Sequence, residues 1–261
     1  MSGLDEANVD AVDPGAGAPR RQDATPSRWA RLTWQAGDPA VLAALLARRL
    51  GISAARVDVE AGAVAWRLDL GGEPLDVVPW RREGPRDEPA PEGRLTLEPI
   101  PGGGTVPALD PAAPLSLVGI VWSTVDLDRA AADLDLWLAP DDPAMGDGDA
   151  HPDPHLGART RIRRSVALPG GTLVLAEPNT EGRLAASLAR DSEGPCALLL
   201  RPSAGLAAWV AQARGRGVPA SAPRRGPLGS AVLLPGRIVA GPHLLIVEAP
   251  KTGVGRSTIA P

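Results

Sequence analysis

The sequence predicts an α+β protein built from repeated βαβββ units, with curved mixed sheets that carry helices on their outer faces. Three observations lead there. Apolar residues alternate in short runs, one strand–helix–strands pattern recurs, and Gly and Pro separate the runs. Residues 1–27 are rich in Gly, Ala, Pro and Asp without periodicity and are expected to form a disordered tail. A first unit is expected over 28–98. It opens with a strand at 30–35, after which Asp38 can cap a helix with Pro39 at its first position, where a missing N–H costs nothing. That helix runs through Val41, Leu42, Leu45, Leu46 and Arg49, and Gly51 ends it. Strand-like runs follow at 56–60, 64–70 and 74–80, with Gly71-Gly72 as the turn between the last two. A charged loop covers 81–93, and 94–98 reads as one more strand. The stretch 99–114, with Gly102-Gly103-Gly104, reads as a linker.

The pattern then restarts. An apolar strand is expected at 115–123, and Asp126-Leu127-Asp128 opens a helix running to Leu138. The spacing from Asp38 to Gly51 equals that from Asp126 to Ala139, and Trp34 and Trp122 precede their aspartates by the same interval. A weaker third copy reads as a strand at 196–201, a helix at 206–216 and then Gly217. One such unit cannot cover its own sheet, so repetition is itself a fold signal. Residues 115–250 are expected to form a paired-module domain, and 251–261 a tail.

Composition narrows the function. Seven Trp stand beside no Phe and no Tyr, so Leu, Val, Ala and Trp must fill the core. The net charge of −4 is spread without a dominant basic face, which argues against a nucleic-acid partner. Arg159, Arg161, Arg163 and Arg164 cluster too locally to change that. Cys196 is the only cysteine, so no disulfide framework exists and a reducing compartment is expected. No run reaches the ~20 apolar residues of a membrane span. Asp5, Glu6 and Asp10 with no apolar stretch do not read as a signal peptide, and the cytoplasm is the expected location.

The run Leu117-Val118-Gly119-Ile120-Val121-Trp122-Ser123-Thr124-Val125-Asp126-Leu127-Asp128-Arg129-Ala130 resembles the opening of a vicinal-oxygen-chelate module. This is the superfamily of glyoxalase I, extradiol dioxygenases and bleomycin-resistance proteins. Gly170-Gly171-Thr172-Leu173-Val174-Leu175-Ala176-Glu177-Pro178 is similar to its later strand. Residues 194–218, with Gly241-Pro242-His243-Leu244-Leu245-Ile246-Val247-Glu248, are similar to its second half. The resemblance implies a divalent metal held in a sheet cup by His or Gln on each first strand and Glu on each last strand. The corresponding residues here are Gly119, Val174, about Leu198, and Leu245 or Ile246, none of which can ligate a metal. In the first copy they are Arg31 and Asp76. The expectation is therefore no metal and no cofactor, because a fold does not carry its activity with it.

What remains for a binding cup is a set of polar residues. By strand parity Arg31, Thr33 and Asp76 line one cup, and Ser123, with Arg161 or Arg163, lines another. Glu248 keeps the parity of Ile246. The arginines would suit an anionic ligand; rim charges on solvated faces are the alternative. His151 and His155 sit in an acidic segment with Asp153, which reads as a solvated insertion or as a substitute metal site. His243 reads as a turn residue and Cys196 as buried and inert. Three functions stay open: metal-free binding of a small molecule in the cup, a metal-dependent lyase, isomerase or dioxygenase using His151, His155, His243 and Glu248, and an interaction module with a closed cup. The first unit is expected either to complete the assembly within the chain or to pair with a second chain as a homodimer.

Overall fold

A computed structural model describes residues 27–58, 64–71, 73–80, 93–105, 112–135, 149–164, 168–179 and 181–248. The expected tails and most of the acidic segment before His151 lie outside these residues, as does Gly72.

Strand β1 (Ser27–Ala36) leads into helix α1 (Pro39–Leu50), then β2 (Ala54–Asp58), β3 (Val64–Leu70) and β4 (Glu73–Pro79). The local chemistry of α1 is as the sequence suggests. Asp38 Oδ1 accepts from the amides of Ala40 (3.0 Å) and Val41 (3.1 Å), satisfying donors that have no partner within the helix. Gly51 closes the helix at φ 76°, with its N–H on the Ala47 carbonyl, a backbone conformation that glycine takes without penalty. Leu42, Ala43, Leu46 and Leu50 are the buried stripe.

Strand β5 (Arg94–Thr105) is longer than expected and runs through the glycines read as linker. It pairs antiparallel with β1 from Gln35↔Arg94 to Ser27↔Thr105, with one register shift between Arg28 and Ala30. A long partner strand supplies backbone hydrogen bonds that override the weak strand preference of three glycines.

The next run is β6 (Leu115–Ser123), α2 (Leu127–Asp135), β7 (His151–Asp153), β8 (Ala158–Arg164) and β9 (Thr172–Pro178). Asp126 Oδ1 caps α2 through the amides of Asp128 (2.9 Å) and Arg129 (3.0 Å). Helix α3 (Arg183–Asp191) bridges to β10 (Gly194–Pro202), α4 (Leu206–Gly215), β11 (Arg224–Gly226), β12 (Gly229–Leu234) and β13 (His243–Val247).

These strands make a five-stranded sheet, β2-β3-β4-β1-β5, and an eight-stranded sheet, β11-β12-β13-β10-β6-β9-β8-β7. In each βαβββ run the first strand lies parallel to the last: β1 with β4, β6 with β9, and β10 with β13. A parallel neighbour requires a crossover, and the helix supplies it. The second and third runs join antiparallel through β6 and β10. In the first sheet β5 takes beside β1 the place that β10 takes beside β6. The chain is thus α+β with curved mixed sheets, as the sequence suggests.

One core joins the helix-bearing faces of both sheets. It holds Leu32, Trp34 and Leu75 of the first sheet, Leu42 and Leu46 of α1, Leu127 and Leu134 of α2, Trp209 of α4, and Ile120, Leu173, Leu198 and Ile246 of the second sheet. Trp34 is 1 % exposed and its ring lies against Gly241, where any Cβ would overlap it. Arg49 of α1 donates to the Ile238 carbonyl across the same seam.

Candidate functional site

In the eight-stranded sheet the register pairs Val121 with Val174 and Leu199 with Leu245, and these four lie on the face opposite the one that carries α2 and α4. There they form a second core with Ala176, Ala197 and Val247, closed over by Leu156 and by Leu184 of α3. The cup is thus filled with aliphatic side chains. Leu198 and Ile246 belong to the other core, beneath the helices, so by register the cup positions on the last pair of strands are Leu199 and Leu245. Neither carries a donor atom. At Gly119 any Cβ would overlap the Thr172 carbonyl oxygen, so no larger side chain fits there without moving β9. Oxygen, nitrogen and sulfur donors are what a divalent ion needs, and the residues at these positions do not fit one. Among the described residues no three His, Cys, Asp or Glu gather as a metal-holding group.

Two of the residues expected in the cup come together on the first sheet. Thr33 stands beside Asp76 on β4 and opposite Thr96 on β5, with 2.5 Å between the two threonine hydroxyl oxygens. Asp76 receives a two-point contact from Arg67, at 2.8 and 3.0 Å, and this pairing lifts the Arg67 pKa above its usual value. Arg31 is exposed and faces Glu98 across the ladder. Ser123 lies on the other sheet, buried, with its hydroxyl donating to the Gly194 carbonyl at 3.3 Å.

Three selections need correction. Arg161 pairs in register with Leu175, and Arg163 with Leu173, both core residues beneath the helices. The cup-facing residue between them is Ile162, opposite Val174. Arg161 accordingly reaches Asp128 of α2 at 2.6 Å. The parity assignment failed because β8 begins one residue out of phase with the arginine cluster. Glu248 follows β13, its amide donating to the Ser230 carbonyl at 2.8 Å. It shares the parity of Ile246, which lies beneath the helices rather than in the cup.

The histidines do not converge. His151 is exposed on β7, and His155 Nε2 lies 3.0 Å from the Arg224 carbonyl. Asp153, 3 % exposed, turns the chain by accepting from the amides of His155 and Leu156. His243 Nδ1 accepts from the Gly236 amide at 3.0 Å. Cys196 is buried, and burial pushes its thiol up to about 12, which removes the thiolate needed for reactivity.

A cavity that strand patterning missed lies where the two sheets meet. Its volume is about 280 Å³, just below the usual range of small-molecule sites. Arg94 of β5, Arg190 of α3 and Arg237 of the turn before β13 stand around it, with Ser123, Asp191 and His243 on its walls. Asp191 accepts from the Ser187 hydroxyl (3.1 Å) and from Arg190 (2.8 Å). Glu193, also on the wall, is held by Arg129. The glycines and prolines of 93–95, 192–195 and 235–242 were the available signal. They mark two strand starts and one turn with no side-chain pattern of their own, which only the fold brings together.

No protein-family model matches the chain, and no curated protein does. Among solved structures, a mutant of 4-hydroxymandelate synthase from Streptomyces coelicolor superposes over 87% of this chain and 94% of its own, with a TM-score of 0.56 and 13% identity. A methylmalonyl-CoA epimerase from Mycobacterium tuberculosis matches over 52% of this chain and 89% of its own, with a TM-score of 0.43 and 22% identity. Both are vicinal-oxygen-chelate proteins. The first of these likenesses shows the fold alone: this chain shares the architecture of 4-hydroxymandelate synthase.

Proposed function

We propose that this protein works without the superfamily's metal and binds a small anionic organic molecule in the cavity between its two sheets. The observation that carries the reading is the ring of Arg94, Arg190 and Arg237 around a space of about 280 Å³. Two acids line the same space, but Glu193 is held by Arg129, which lies outside it. Asp191 is held by Arg190, so Arg94 and Arg237 set the balance. The balance therefore favours an anion, and guanidinium groups suit carboxylate or phosphate oxygens. The sequence leads one to expect the ligand in the sheet cup; the cup's aliphatic filling supports the seam instead. The donor-poor ligand positions weigh against a metal-dependent lyase, isomerase or dioxygenase.

The test is calorimetric titration of the intact protein with succinate, inorganic phosphate and benzoate, repeated on Arg94→Ala and Arg237→Ala. Binding of at least one anion, weakened about tenfold or more by either substitution, is the expected result. Absence of heat with all three probes, or affinity indifferent to both arginines, would sink the reading. The filled cup would then favour an interaction module.

A further inference from the structure

We propose that Trp34 is a ligand-contacting residue of this cavity, donating its indole N–H to an oxygen of the bound anion when the turn at Ala240–Gly241 shifts. The inference rests on the cavity reading above and adds the residue that would select for an acceptor oxygen. Trp34 is 1 % exposed, and its Nε1 finds no acceptor among the described residues. Buried donors nearly always have one, so an exception calls for a physical reason.

The place of this N–H supplies the reason. A Cβ on Gly93 would lie 2.6 Å from Nε1, and one on Gly241 would lie 2.7 Å away. Both glycines line the cavity. The backbone of two cavity-lining glycines therefore lies directly beside the donor. The adjoining residue, Ala240, sits at φ 52°, in the left-handed region that disfavours a residue with a Cβ. An unpaired donor and a disfavoured backbone thus meet at one turn. A small displacement of Ala240–Gly241 relieves both, provided that an acceptor enters. A dicarboxylate can meet the arginines with one end and the indole with the other.

The experiment uses the whole chain and succinate. Indole N–H resonances are followed by two-dimensional NMR during titration, with Trp34 identified by sequential assignment and by its loss in Trp34→Phe. The expected result is a downfield movement of the Trp34 indole proton at saturation, and succinate affinity about tenfold weaker in Trp34→Phe, which keeps most of the ring but not the donor. If succinate binds the wild type while the Trp34 signal stays in place and Trp34→Phe binds as well, this inference is overturned and the cavity reading stands. If the wild type binds no succinate, the inference falls. Phosphate and benzoate titrations then show whether the cavity reading falls with it. Should Trp34→Phe not fold, the wild-type signal decides alone.

Discussion

Glu193 holds together two elements that the chain brings in from far apart. Its Oε1 accepts from the Thr124 hydroxyl (2.9 Å) and the Val125 amide (2.7 Å), and both carboxylate oxygens take Arg129 of α2. Burial alone would raise its pKa. The hydrogen bonds from Arg129, Val125 and Thr124, with the Arg129 charge, outweigh burial and carry it below the usual carboxylate value. A folded-state pKa below the unfolded one stabilises the protein above the unfolded value, near 4.3. That contribution is lost as pH falls through the folded pKa. Glu193→Gln is therefore expected to cost about 1 kcal/mol near neutral pH, a modest figure because the pair is partly solvated. The gap to wild type should close as pH drops below about 4. Urea unfolding across that range checks it, and a gap that ignores pH would contradict the assignment. None of this site was legible in the sequence. Thr124, Arg129 and Glu193 become neighbours only through the antiparallel pairing of β6 with β10, and no local pattern encodes that. The selected Thr33 and Asp76 do lie side by side, because parity within an edge-to-edge pair of strands follows from the period of two. Parity failed for Arg161 and Arg163, since an isolated basic run does not show where its strand turns over.

At the scale of the element, α1 is the clearest case of chemistry that can be read along the chain. Asp38, Pro39 and Gly51 act within a few residues of themselves, so they needed no tertiary information. Asp38→Ala should destabilise the protein by about 1 kcal/mol and Asp38→Asn by much less, since asparagine retains the accepting oxygen. Gly51→Ala should cost more than an ordinary exposed substitution. It places a side chain at φ 76° and sets its Cβ 2.7 Å from the Arg216 guanidinium. Thermal unfolding of the three variants tests the order, and an Asn variant as weak as the Ala variant would contradict the capping role. Other elements were hidden for reasons equally physical. Helix α3 opens at Gly182 without a side-chain cap, so it lacks the signal that announced α1 and α2. Strands β7 and β11 are three residues each, too short for alternation to show. The sequence predicts a shorter β5 because Gly102-Gly103-Gly104 argues locally for a linker, whereas its partner β1 decides otherwise.

At the scale of the molecule, the sequence suggested an N-terminal unit separated by a linker from a paired-module domain, yet the helix-bearing faces of both sheets share a core. Leu32, Trp34 and Leu75 belong to the same buried cluster as Ile120, Leu198 and Ile246. Trp34 presses on Gly241, Arg49 reaches the Ile238 carbonyl, and Gly71 packs against Ser116 so closely that a Cβ would overlap it. A unit whose apolar face is covered only by its neighbour exposes that face when the neighbour melts, at roughly 25 cal/mol for each Å² of apolar surface. The two sheets are therefore expected to unfold together. Far-UV circular dichroism, which reports both, should follow the same thermal curve as the fluorescence of the seven tryptophans, and calorimetric and van't Hoff enthalpies should agree. Replacing Gly241 with Val should lower that single transition rather than split it, because the overlap with Trp34 acts on the interface both sheets depend on. Two resolved transitions in the wild type would instead mean that the N-terminal sheet stands on its own. A cavity bounded by β5 on one side and β10 on the other would then lose the fixed geometry that an anion site requires.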